Sequence, residues 1–155
     1  MTSYSLEALV GRADVMAGLP DAFAQMGRIP LVDDLVLVPA PMEMLRHLYA
    51  DEPVLDAVRD VLGPLVAPAS ALGPIAYLHA ELYDEEGSEG VIIWHGGQVV
   101  FESFEDPTSG PGPIDRGLAA LGIEGRPDHD AYELLGLGRH RTLNAWITDA
   151  RLRIP

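Results

Sequence analysis

Between residues 51 and 104 the apolar positions change period, and that change predicts the architecture. In "DEPVLDAVRDVLGPLV" (51–66), Val54, Leu55, Val58, Val61, Leu62 and Leu65 recur at three- and four-residue spacing. They form one apolar stripe of a helix that Asp51 can cap, with Gly63-Pro64 ending or kinking its last turn. "IAYLHAELY" (75–83) then alternates strictly, as a strand does. "VIIWHGGQVVFESF" (91–104) reads as a hairpin whose Gly96-Gly97 supplies the positive-φ pair of a two-residue turn. That turn sets His95 opposite Gln98, Trp94 opposite Val99, Ile93 opposite Val100 and Ile92 opposite Phe101.

Burial argues the register between the first two strands, because a one-residue slip turns every side chain to the other face. One register gathers Ala76, Leu78, Ala80, Leu82, Ile92, Trp94, Val99 and Phe101 into a wholly apolar face. It leaves His79, Glu81, His95, Gln98 and Glu102 on the other face, with Tyr77, Tyr83, Ile93 and Val100.

Elsewhere the pattern is shorter. Residues 5–17 and 21–27 read as helices, with Asp21 after Pro20 as an N-cap. "DDLVLVP" (33–39) reads as a strand and "PMEMLRHLY" (41–49) as a helix starting at Pro41. "DEEGSEG" (84–90) and the Pro- and Gly-dense 105–113 read as loops. A short helix over 114–121, a helix opened by Asp128 and a closing helix capped by Thr142 follow. Leu143, Trp146 and Ile147 lie on one side of the last. The sum is an α+β fold, a three- or four-stranded, mostly antiparallel sheet around hairpin 75–104, packed with short helices. Residues 1–155 form a single domain, mainly helical over 1–70, with the sheet and C-terminal helices over 72–155.

Composition narrows the function classes. A 48% hydrophobic, 22% charged chain is globular in composition rather than disordered. The lack of cysteine excludes disulfides, thiol nucleophiles and cysteine-bound zinc. All ten basic residues are Arg, which excludes lysine Schiff-base chemistry and a P-loop lysine. The first twenty residues lack a basic stretch followed by an apolar one, so no signal peptide is predicted. The uncharged stretch 61–80 is broken by Pro64, Pro68 and Pro74, so no membrane span is predicted and a cytoplasmic location is expected. A net charge of −14 repels nucleic acid and suits a basic protein partner.

Three groups of residues could carry chemistry. His79, Glu81 and His95 on the polar sheet face could form a metal site of two imidazoles and a carboxylate, or an acid–base pair. Residues 81–106 hold eight acids and no Arg, among them Asp84, Glu85, Glu86, Glu89, Glu105 and Asp106, with Tyr83 beside them as an aromatic anchor. Residues 139–155 hold four Arg and one acid, Asp149. Arg139, His140 and Arg141 in "GLGRHRTLNAW" are either a structural clamp onto the acidic hairpin or a small anion-binding pocket. In "DHD" (128–130), helix capping explains Asp128 and the dipole explains Asp130, and His129 has no assigned role. No G-x-S-x-G, Walker or dinucleotide-binding motif is present.

"AYLHAELYDEEGSEGVIIWHGGQVV" and the late "LGLGRHRTLNAW" give residues 72–147 a loose resemblance to a type of small bacterial protein. The resemblance implies a bacterial α+β domain and carries no activity. By analogy with small acidic proteins of this look, it suggests an immunity partner of a secreted toxin. The expectation is a non-enzymatic acidic interaction domain, an immunity-like inhibitor of a basic toxin or enzyme, with no cofactor. The alternative is a small metal- or ligand-binding hydrolase using His79, Glu81 and His95.

Overall fold

In the computed structural model, which describes residues 3–40, 55–83, 86–105, 113–121, 136–137 and 139–154, six strands form one antiparallel sheet. Along the chain come β1 (Ser3–Arg12), α1 (Ala13–Met16), α2 (Asp21–Ala24), β2 (Ile29–Pro30), β3 (Leu35–Pro39) and α3 (Leu55–Ser70). Then follow β4 (Ile75–Tyr83), β5 (Glu86–His95), β6 (Gln98–Glu105), α4 (Pro113–Ala120) and α5 (Leu143–Leu152). The strand order is β2-β3-β1-β4-β5-β6, so the class is α+β and the sheet is larger than the three or four strands expected.

The added strands, β1 and β2, come from the N-terminal half. Residues 5–12, read as helix, belong to β1, a central strand paired with β3 on one side and β4 on the other. Leu6, Glu7, Ala8 and Leu9 favour helix locally, but Tyr4, Leu6, Ala8 and Val10 alternate and are buried on one face. Tertiary pairing decides the outcome. Only the four-residue α1 and α2 remain of the two expected helices, and Pro20 rather than Asp21 occupies the N-cap of α2.

Hairpin 75–104 forms as its turn chemistry dictates. Gly96 and Gly97 have φ of +65° and +81°, and the Ser70 hydroxyl accepts a hydrogen bond from Gly97 N–H at 2.9 Å. His95 faces Gln98 and Trp94 faces Val99, but a bulge then leaves Val100 over, so Ile93 faces Phe101 and Ile92 faces Glu102. The expected 84–90 loop is also shorter, since β5 begins at Glu86.

The register between β4 and β5 is the slipped one. Ile75 faces Trp94, Tyr77 faces Ile92 and Leu78 faces Val91. The expected apolar face assumed that one side of the sheet meets solvent, whereas both sides are buried. Tyr4, Leu6, Ala8, Leu78, Val91 and Ile93 pack with Ile114 and Leu118 of α4 and with Trp146 and Ala150 of α5. Leu9, Val38, Ile75, Tyr77, Ile92 and Trp94 pack on the opposite side with Val15 and Met16 of α1 and Val58, Leu62 and Val66 of α3. With two cores available, an apolar set on one face no longer fixes register.

Helix α3 continues through Pro64 and Pro68 to Ser70, past the expected stop at Gly63-Pro64. Asp60, Pro64 and Pro68 are spaced by four and exposed, so the carbonyls that lose their intrahelical partners face the solvent side. The helix 41–49, the Asp51 cap and the helix opened by Asp128 lie outside the described residues.

Candidate functional site

The pairing of β4, β5 and β6 places Tyr83, Glu86 and Glu105 toward one end of the sheet. Tyr83 faces Glu86 and Glu89 faces Glu105 across adjacent strands, and only residues 84 and 85 separate β4 from β5. Asp84, Glu85 and Asp106 lie outside the described residues, and Tyr83, Glu86 and Glu105 are placed by their backbones at the strand ends.

Glu89 departs from the expected surface set. It is 9% exposed, beneath the start of α4, and its Oε1 accepts a hydrogen bond from Ile114 N–H at 3.4 Å. A carboxylate there satisfies a donor in the first turn and complements the positive end of the helix. Glu89 therefore anchors α4 to β5 and is withdrawn from the contact surface. Glu102, also in the block, accepts from Arg59 Nη1 of α3 at 2.8 Å through both carboxylate oxygens. With side chains 33% and 38% exposed, that pair is partly screened by water.

The structure separates His79 from His95. His79 faces Gly90 on the Tyr77 side of the sheet, while His95 follows Trp94 and so points to the opposite side. Five residues from Gly90 to His95 also put about 16 Å between them along the strand. No metal or acid–base pair can be assembled from both, and the expected His79, Glu81, His95 set is corrected on that ground. Among the described residues, no group of three His, Cys, Asp or Glu is placed to hold a metal ion.

His79 has a different setting. Gly90 lies between His79 on β4 and Phe104 on β6, and the two rings stack across it with centroids 6.1 Å apart at 28°. The missing Gly90 side chain gives the rings their room. Burial pushes the His79 pKa below its ordinary 6.5, and the Glu81 charge offsets part of that shift. The surroundings favour the neutral imidazole over the charged form.

The basic segment is tied into the fold chiefly through its own helix and the sheet edge. Gly136, at φ +98°, turns the chain, and Arg139 Nη1 donates to the Pro30 carbonyl at 3.3 Å. Where β1 runs beyond the end of its pairing with β3, Ser5 N–H donates to the Arg141 carbonyl at 2.9 Å. The Ser5 hydroxyl in turn accepts from Leu143 N–H at 2.9 Å. Thr142 caps α5 as expected, its hydroxyl accepting from Ala145 N–H at 3.1 Å. His140 Nε2 lies 2.8 Å from Asp149 Oδ2, and Arg153 Nε donates to Asp149 Oδ1 at 2.7 Å. The His140 hydrogen bond, with smaller help from Arg153, lowers the Asp149 pKa below 3.8. Asp149 pairs within the basic segment and Glu102 pairs with Arg59 of α3, so neither of these ion pairs joins the basic segment to the acidic hairpin.

Sequence reasoning missed Asp149 as the partner of His140 and Arg59 as the partner of Glu102. The spacing of Asp149 and Arg153, four apart on one helix, was an available signal for the first cluster. No protein-family model, curated protein or solved structure matches the chain.

Proposed function

We propose that the chain is an acidic protein-interaction domain that inhibits a basic partner in the manner of an immunity protein, acting in the cytoplasm. Its binding surface is the sheet end carrying Tyr83, Asp84, Glu85, Glu86, Glu105 and Asp106. One observation carries the reading. The strand register brings Tyr83, Glu86 and Glu105 to the same end of a sheet whose two faces are already covered by helices, in a chain of net charge −14. Such a field accelerates encounter with a basic surface, and an aromatic anchor holds the docked state. Among the described residues no helix is long and apolar enough to cross a membrane.

The test is affinity for a basic protein captured by the wild-type chain, measured for Tyr83→Ala and for the Glu85→Lys, Glu86→Lys double variant. Each is expected to weaken binding at least about tenfold, or about 1.4 kcal/mol. Unchanged affinity in both would remove this surface from the account.

A further inference from the structure

The chain carries a second surface of opposite sign. An open groove of about 460 Å³ runs along the outer side of α5, lined by His140, Asn144, Ala145, Thr148, Asp149 and Leu152. We infer that this groove docks an extended acidic polypeptide segment with one apolar anchor side chain.

Length, lining and charge each support that occupant. From Asn144 to Leu152 the helix advances about 12 Å, the span of three or four extended residues. Ala145, Leu152 and the Thr148 methyl offer apolar contact, and Leu152 is 82% exposed, so docking removes it from water. Asn144 and the Thr148 hydroxyl can bond the backbone of an extended chain. Asp149 would repel a carboxylate, but both its oxygens are engaged by cationic or potentially cationic groups, His140 and Arg153. Arg139, Arg141 and Arg151 are exposed in the same segment. Arg151 lies three residues beyond Thr148 and seven beyond Asn144, which puts it at the groove's edge. An acidic segment meets complementary charge there, while a basic one meets like charge. This surface is distinct from the acidic sheet end and stands without it.

The groove also has a built-in reporter. The His140 ring sits edge-on to Trp146 at 4.8 Å, and the fully buried Trp146 indole N–H has no hydrogen-bond partner. A ligand that shifts His140 changes the field at that N–H.

The test is a nitrogen-15 NMR titration of the full chain with the synthetic peptide Glu-Glu-Leu-Phe-Glu-Asp, against a control with each acid replaced by Lys. Ionic strength near about 0.15 M confines the repulsion of the distant acidic end to about 8 Å. The acidic probe is expected to shift the Trp146 indole and the α5 amides at saturable concentration. Arg151→Glu and Leu152→Ser, both at exposed positions, should each weaken it at least about fivefold while the remaining spectrum is preserved. Absence of saturable binding, tighter binding of the Lys peptide, or unchanged affinity in both variants overturns the proposal. Salt-sensitive self-association that Arg151→Glu abolishes would identify the acidic segment as one from a second copy of the chain.

Discussion

The two faces of the sheet are covered by different means. On one, α3 is a long helix that bridges β3 to β4 and lays Val58, Leu62 and Val66 on Tyr77, Ile92 and Trp94. On the other, the short α4 and α5 supply Ile114, Leu118, Trp146 and Ala150. The glycines of α3 and α4 show how differently the helices approach. A Cβ on Gly63 of α3 would meet Trp94 Nε1 at 3.7 Å, an ordinary contact. A Cβ on Gly117 of α4 would stand 2.6 Å from Val91 Cγ2. One helix rides over an indole with space to spare, and the other is pressed against the sheet. With both faces occupied, binding surfaces are left to the sheet's ends, its edges and the outer sides of its helices.

Removing the large side chain from either face is the strongest way to test their equivalence. Trp94→Ala and Trp146→Ala should each cost about 3–5 kcal/mol by denaturant unfolding. A cost below about 1 kcal/mol at one site would show that its face contributes little. Trp146→Phe should be much milder, because it removes an indole N–H that has no acceptor.

The glycines sharpen the comparison at smaller magnitude. Overpacking by Gly117→Ala costs about 1–3 kcal/mol, which cancels or exceeds the ~1 kcal/mol gained by replacing a helical glycine. The net change should run from about zero to about 2 kcal/mol destabilising. Gly63→Ala meets no such clash with the sheet. Its helix-propensity gain of up to ~1 kcal/mol is opposed by crowding of the new Cβ against the Pro64 ring, so its shift should stay within about 1 kcal/mol of zero. Equal shifts in the two variants would contradict the difference in helix approach.

The smallest expected effect is a pH dependence with two windows. The folded pKa of His79 is depressed below 6.5, so the unfolded chain binds its proton first and stability is lost as pH falls below that value. Asp149 is depressed below 3.8, so its contribution is present above that value and is lost progressively as pH falls from there through its folded value. Unfolding midpoints between about pH 7.5 and about pH 5 should fall in the wild type and flatten in His79→Gln. An unchanged slope in that variant would show that another group controls this range.

Much of the local chemistry was legible in the sequence. The 75–83 strand, the Gly96-Gly97 turn, the Thr142 cap and the existence of α3 follow from periodicity and turn residues. The misreadings of the β4–β5 register, of β1 and of Glu89 share a physical origin, since each depended on what packs against that stretch from elsewhere in the fold. A two-sided core made the apolar-face argument for register fail, and with it the meeting of His79 and His95. β1 was misread because helix-favouring residues sit at its centre while its alternation is satisfied only by β3 and β4. Glu89 looked like surface because nothing in residues 84–90 announces that α4 will cover it. The acidic character of the sheet end, in contrast, is written in the sequence, and the fold adds only its placement.

The most direct test of the account is affinity capture from the cells that make the protein, in low and high salt, with the Glu85→Lys, Glu86→Lys variant alongside. The account predicts a stoichiometric basic protein that is retained by the wild type, weakened by salt and absent from the variant. No specific partner, or one held equally by the charge-reversed chain, would contradict it.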